Sequence, residues 1–425
     1  MTSTTSKSST QSFTLPDYLD SRYSWFRLAV SMLIATIGSV GMWSVIVVLP
    51  KIEQEFGADR SEASLPFTTI MVGFGVGNIL IGRFVDRYGI ALPMAVSSVL
   101  LAAGFYSSTL VDSVWMFAIL QGLMVGLGTA ICFGPLMSDI SHWFYRRLGI
   151  AIAAAASGNY FAGTLWPLFL KGIIAAEGWR TAYVTVAIII FSTMLPLSFF
   201  FRRRIPQSPI PLEGEEDKST QPPETRKQVD LKGNTLVFLL TIAGVACCVA
   251  MSMPQVHIVA YCADLGYGIV RGAEMLSLML AGGIISRLIS GVLADYIGGV
   301  QTLLIGSVLQ CIALFLYMPF NGLVSLYIVS LIFGLSQGGI VPSYAIILRE
   351  YLPAAGSGQR VGIVVFATVM GMAVGGWLSG LIYDLTHSYQ AAFINGIGWN
   401  FINIFVMLFI LLKTRKTLEQ RTAAA

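Results

Sequence analysis

The chain has 425 residues, of which 55% are hydrophobic and only 11% are Asp, Glu, Lys or Arg, against about 25% charged in an ordinary soluble domain. Water cannot be the solvent for most of that surface, so a soluble globular fold is excluded. The formal net charge of +4 gives no support to a nucleic-acid partner, because the basic residues fall where a membrane topology would put them.

In chain order, residues 1–25 are polar and read as a disordered cytoplasmic tail without a cleaved signal peptide. A helix needs about 20 apolar residues to cross about 30 Å of hydrocarbon. Windows of that kind follow near 26–49, 65–84, 90–110, 114–137, 149–174, 181–201, 234–262, 272–293, 301–320, 324–348, 361–382 and 391–412. They predict an all-α membrane protein of twelve transmembrane helices in two pseudo-symmetric six-helix bundles, 26–201 and 234–412. The connector 202–233 is rich in Pro, Glu, Lys and Gln and reads as a cytoplasmic linker, and 413–425 as a second cytoplasmic tail. Of the 26 Lys and Arg residues, few fall in the links holding Lys51, Arg60, Lys171, Arg180 and Arg271. The opposite links carry Arg83, Arg87, Arg146, Arg147, Arg202, Arg203 and Arg204, so both termini are placed in the cytoplasm of a cell-membrane protein.

The five cysteines, Cys132, Cys247, Cys248, Cys262 and Cys311, lack metal-ligand spacing and read as packing residues. No G-x-x-x-x-G-K-[ST] and no H-E-x-x-H occurs, so nothing points to ATP hydrolysis, zinc proteolysis, an enzyme, a cofactor or a metal. A repeat carries more information. Gly82-Arg-Phe-Val-Asp86-Arg87-Tyr-Gly89 follows the second window, and Gly291-Val-Leu-Ala-Asp295-Tyr296-Ile-Gly298 follows the eighth, 209 residues later. Glycines there allow close helix contact and tight turns. Asp86, Arg87 and Asp295 are candidates for a latch between rocking halves, with Tyr296 in place of a second basic residue. Pro135 and Pro342 mark equivalent bends, and Asp139 is a gate or end-cap candidate.

With these matched loops, the chain resembles the major facilitator superfamily of secondary transporters over Phe26 to Leu412. Within it, His142-Trp-Phe-Tyr-Arg146-Arg147-Leu-Gly-Ile-Ala151, Gly376-Trp-Leu-Ser-Gly-Leu-Ile-Tyr-Asp384 and Ser388-Tyr-Gln-Ala-Ala-Phe393 are similar to the monocarboxylate transporter family, including bacterial members and the oxalate/formate exchangers. Arg146 joins the gating candidates.

Arg287 lies eight residues before Asp295, about 12 Å along a helix, close to the bilayer centre. A guanidinium at that depth is costly, stays charged, and offers a carboxylate two parallel donors if it faces a cavity. It can also serve structurally, bonded to a neighbouring helix's carbonyls. The resemblance implies that an arginine in this span contacts the carboxylate substrate. The matched position in the first half is Asn78, a neutral donor, and 361–382 contain no Lys or Arg, so the cavity favours a singly charged anion. Many members place an aspartate one turn before this arginine, where this chain has Gly283. His257, since an unperturbed histidine has a pKa near 6.5, and Glu274 are then the proton-coupling candidates. Gln121, Asn159, Tyr160, Gln255, Gln337 and Tyr344 are polar groups that either line the passage or bond between helices.

These features imply a proton-coupled carrier for a lactate- or pyruvate-like monocarboxylate, embedded in the bilayer, with no accessory protein evident. The alternatives are an organic anion exchanger of the oxalate/formate type or a facilitated uniporter.

Overall fold

In hydrocarbon a backbone N–H or C=O has no water to bond, so a spanning segment must satisfy itself as a helix. The computed structural model, which describes residues 18–144, 147–203, 231–352 and 357–422, is helical throughout its apolar windows. The first half consists of α1 (Arg22–Phe56), α2 (Arg60–Tyr88), α3 (Ala91–Ser108), α4 (Val114–Ser141), α5 (Leu148–Glu177) and α6 (Trp179–Arg202). The second consists of α7 (Gly233–Asp264), α8 (Gly268–Ile297), α9 (Gly299–Leu316), α10 (Leu323–Tyr351), α11 (Ser357–Thr386) and α12 (Tyr389–Thr422). Eleven of these satisfy both length and apolarity for a crossing among the described residues. The twelfth, α5, has 30 residues, enough for about 45 Å.

Most helices run past the apolar windows, whereas α3 (Ala91–Ser108) stops short of the expected 90–110 and α9 ends at Leu316, before the expected 320. α1 begins at Arg22, within the expected tail, because Ser21 caps it by accepting the Ser24 N–H at 3.2 Å. α12 continues to Thr422, through most of the expected C-terminal tail. Residues 1–17, most of the linker (204–230) and Arg146 lie outside the described residues.

The 209-residue repeat is visible in the backbone. Gly89 and Gly298 end α2 and α8 at φ 76° and 89°, a region closed to most side chains. Their N–H groups donate to Val85 and Ala294 carbonyls at 2.8 and 2.9 Å. Each tight turn returns the chain as α3 or α9. The expected close contact at Gly82 and Gly291 is not made, since a Cβ at either would meet open space.

Two spans are interrupted at corresponding levels. α4 passes through a π turn (Gln121–Gly126) and a 3-10 turn (Ala130–Cys132), breaks at Phe133, and restarts at Gly134. α10 breaks at Gly338–Gly339 and restarts at Ile340. Pro135 and Pro342 each fall in the first turn after the break, where a missing N–H costs nothing.

Across the halves α2 packs on α11, α5 on α8 and α1 on α7. One buried apolar cluster runs through both halves, while separate clusters form around Tyr344 and around Trp143. Leu92, Val96, Val99, Phe191, Ile312 and Phe405 are exposed, as expected of lipid-facing positions rather than of a surface in water.

Candidate functional site

Arg287 stands where the two halves meet. Its Nη1 donates to the Ala156 carbonyl of α5 at 3.2 Å and its Nε to the Gly338 carbonyl of α10 at 3.4 Å. Both bonds are long for charge-assisted ones. The guanidinium carbon lies 4.4 Å from the centre of the Tyr160 ring, within cation–π range. No carboxylate pairs with it among the described residues. Both earlier readings of Arg287 thus have a physical basis: it braces neighbouring carbonyls, and it keeps N–H donors to spare.

Asn78, its counterpart 209 residues earlier, performs a parallel task. Its Oδ1 accepts the Gly134 N–H at 3.0 Å and its Nδ2 donates to the Phe74 carbonyl at 2.8 Å. The α4 break frees an N–H and Asn78 takes it; the α10 break frees a carbonyl and Arg287 takes it. Discontinuous helices braced at mid-membrane are a common setting for transporter ligands.

Of the polar lining candidates, only Tyr160 touches Arg287. Asn159 accepts the Trp43 indole N–H at 2.9 Å, joining α1 to α5. Gln121 is fully buried and donates to Ser108 at 2.8 Å, between α3 and α4. Gln255 and Gln337 are buried and bond one another at 2.6 Å, from α7 to α10. Tyr344 is fully buried and donates to Asn403 of α12 at 3.2 Å. Each has a packing role within its own half.

The proton-coupling candidates lie toward the other end of the molecule, which we call outer after the charge rule. Glu274 accepts from Lys171 of α5 at 2.5 Å, from Arg271 at 3.0 Å and from the Tyr327 hydroxyl. His257 is fully buried, with Nε2 2.8 Å from the Gly376 carbonyl and Nδ1 3.5 Å from the Tyr389 hydroxyl. The carbonyl can only accept, so Nε2 carries the proton and Nδ1 faces the phenol as acceptor.

That phenol belongs to a network that the sequence reading missed. Arg60, 5% exposed at the start of α2, donates in parallel to Asp264 of α7 at 3.0 and 3.1 Å, to Glu53 of α1 at 3.1 Å and to the Tyr389 hydroxyl. Its cation also sits 4.5 Å from the Tyr383 ring centre. Asp384 of α11 accepts the backbone N–H groups of Arg60 and Ser61 at 2.9 and 2.8 Å. Those groups open α2, whose own N-cap residue Asp59 makes no side-chain cap. One half therefore caps a helix of the other, meeting both its free donors and its dipole. The signal was present in the Tyr383-Asp384 and Ser388-Tyr389 stretches, read as lineage markers; the partner, Arg60, is 324 residues from Asp384.

The inner end is different. Asp86, Arg87 and Asp295 are exposed and make no ion pair across the halves among the described residues. Asp139 is 8% exposed and bonded at 2.8 Å through both oxygens to Arg27. It clamps α1 to α4 inside one half and does not bridge the two. Arg27 is further held between the Trp143 and Phe201 rings, 4.6 and 4.5 Å from their centres. The halves are thus tied at the outer end and parted at the inner end.

A model of the Major Facilitator Superfamily matches residues 31–334 and 272–425. The chain is 27% identical over 393 residues to the uncharacterized MFS-type transporter YcxA of Bacillus subtilis (strain 168), covering 87% of this chain and 90% of that one. It is 24% identical over 334 residues to monocarboxylate transporter 13 of Bos taurus, covering 78% and 75%. Among solved structures, a bacterial homolog of the human lysosomal transporter Spinster, inward-facing and occupied, superimposes with a TM-score of 0.71 at 14% identity, covering 93% and 98%. The partially occluded inward-open xylose transporter XylE of E. coli gives 0.70 at 13% identity, covering 92% and 98%. These structural likenesses establish the fold, the braced and broken helices agree with it, and the chain belongs to the Major Facilitator Superfamily of multi-pass membrane transporters, which work by alternating access.

Proposed function

We propose that this transporter carries small organic monocarboxylates of lactate or pyruvate size and that Arg287 binds the carboxylate. The observation that carries the reading is the state of that guanidinium. It lies between the halves, makes two long bonds to carbonyls and has no acidic partner among the described residues. A carboxylate meeting its free N–H edge forms charge-assisted bonds stronger than those it already makes. Neutralising this cation between the halves also eases occlusion in a low-dielectric setting. Relatives named monocarboxylate transporter 13 and monocarboxylate transporter 10 lie in the same direction.

In this reading the proton enters through the outer end, with His257 behind the Arg60–Tyr389 network and Glu274 beside Lys171 as the groups to test. Asp86, Arg87, Arg146 and Asp295 are the groups to test at the inner gate, while Asp139 stays clamped to Arg27 within one half. A second reading, anion exchange, is favoured by the same unpaired Arg287: the empty carrier must return with its charge uncompensated, whereas a loaded one does not.

The test is uptake of labelled pyruvate and lactate into liposomes containing the purified protein, with an imposed pH gradient and with or without internal substrate. Accumulation driven by the gradient and lost in Arg287→Ala is the expected result. Flux seen only with internal substrate identifies the exchanger. Undiminished flux in Arg287→Ala removes that residue from the site and overturns the reading.

A further inference from the structure

Gly283 lies one helical turn before Arg287, on the same face of α8. A Cβ added there would sit 2.5 and 2.8 Å from Cε1 and Cδ1 of Tyr160, nearer than atoms can approach. The Tyr160 ring, 8% exposed, therefore fills the volume that a side chain at 283 would need. The same ring lies 4.4 Å beneath the guanidinium of Arg287. Everything that faces this cation can be named. α5 provides the Tyr160 ring and the Ala156 carbonyl, α10 provides the Gly338 carbonyl, and no charged side chain among the described residues contacts it. The ring covers one face, the carbonyls take Nε and one Nη1 hydrogen, and the Nη2 edge is left for a ligand. The Tyr160 hydroxyl makes no protein hydrogen bond among the described residues.

We propose that Tyr160 is the positioning residue of the carboxylate site, holding Arg287 by its face and excluding an acidic neighbour from Gly283. This rests on the reading of Arg287 given above and goes beyond it in assigning why the cation stays unpaired. An aromatic ring stabilises the guanidinium without cancelling its charge, so the full positive charge remains for an incoming anion. An aspartate at 283 would pair with Arg287, compete with the substrate carboxylate, and make binding depend on its own protonation. The Tyr160–Gly283 pair thus keeps a titrating carboxylate away from Arg287, so any pH dependence of binding comes from groups outside this contact.

Pyruvate binding is read from the shift it causes in the melting temperature of detergent-purified protein, and KM and kcat from liposome uptake. Tyr160→Phe keeps the ring, and both readouts are expected to stay within about threefold of the parent; Tyr160→Leu removes the face and is expected to raise KM and Kd about tenfold while kcat changes less. Gly283→Ala is expected to weaken binding in the parent, and Tyr160→Ala to relieve the clash in the double variant. Tyr160→Ala with Gly283→Asp is expected to bind pyruvate more tightly at pH 5 than at pH 8, by a ratio about tenfold greater than in the parent. The proposal falls if a folded Tyr160→Leu protein keeps the parental Kd, or if the Asp double variant shows the same ratio of affinities at pH 5 and pH 8 as the parent. Arg287→Ala separates the two levels. If it abolishes binding while the Tyr160 variants bind as the parent does, only the role of Tyr160 is overturned; if it leaves binding intact, the carboxylate reading fails and this inference with it.

Discussion

A carboxylate 8% exposed survives near the inner end of α4 because Arg27 meets both its oxygens at 2.8 Å. Bidentate geometry and the flanking rings of Trp143 and Phe201 offset the desolvation of both charges. Removing one partner leaves the other buried and unpaired, so Asp139→Ala is expected to cost about 3–5 kcal/mol of stability. Glu55, which pairs with Arg180 where both side chains are more than a third exposed, gives the contrast: Glu55→Ala is expected to cost about 0–1 kcal/mol. Melting temperatures of the two purified variants against the parent check this, and equal shifts would refute it. Asp139 was legible as a charge at the end of a span, which suggests a gate or an end-cap residue. Arg27 was not legible as its partner, because it opens the first apolar window directly behind a polar segment, and 112 residues separate the two. Arg287 was recognisable for the opposite reason: a lone charge deep in an apolar run has no local explanation.

At the level of the helices, the bilayer makes sequence unusually informative. Hydrocarbon forbids any unpaired backbone, so apolar windows of the right length have to be helical, and the twelve were readable. Their ends were less so, since helices extend into the interface on capping and ion pairs that hydropathy ignores. The breaks in α4 and α10 were hinted at by Pro135 and Pro342, yet what braces them, Asn78 and Arg287, comes from other helices. The α10 break also depends on how near α8 comes. A Cβ on Gly338 would lie 2.1 Å from the Gly283 carbonyl and 2.8 Å from the Arg287 nitrogen, both backbone atoms that cannot yield. Gly338→Ala is therefore expected to push α10 off α8, lowering the melting temperature and abolishing uptake together. Gly291→Ala, on the same helix α8 but facing open space, is expected to stabilise this state slightly, by at most about 1 kcal/mol from helix propensity. If Gly338→Ala proves as stable and active as Gly291→Ala, the close crossing is not required.

For the whole molecule, alternating access requires the outer ties to break when the inner end closes, so their strength sets the balance between the two states. Among the described residues two ionic ties cross the halves at the outer end: the Arg60 network with Asp264, Asp384 and Tyr389, and the Lys171–Glu274 pair. Asp384→Asn keeps one acceptor oxygen for the start of α2 but loses the charge that complements the helix dipole, worth about 1 kcal/mol, so the balance should tip about fivefold toward the outward-open state. Arg60→Ala goes further, because Glu53, Asp264 and Asp384 then face one another without a cation. A loss of about 3–5 kcal/mol from a broken buried pair corresponds to a shift of a hundredfold or more, enough to invert the populations. The readout is the distance between spin labels on cysteines placed at Asp86 and Asp295, exposed residues in the last turns of α2 and α8 at the inner end, in a background without native cysteines because Cys311 is only partly buried. Short distances should be rare in the parent, more frequent in Asp384→Asn and dominant in Arg60→Ala. Glu55→Ala, at the same end but within one half, should match the parent. A distance distribution unchanged in Arg60→Ala would mean that the Arg60 network does not hold the molecule in this state, and that the separation of the inner ends is maintained by the Lys171–Glu274 pair and by the packing of α2 on α11 and α5 on α8.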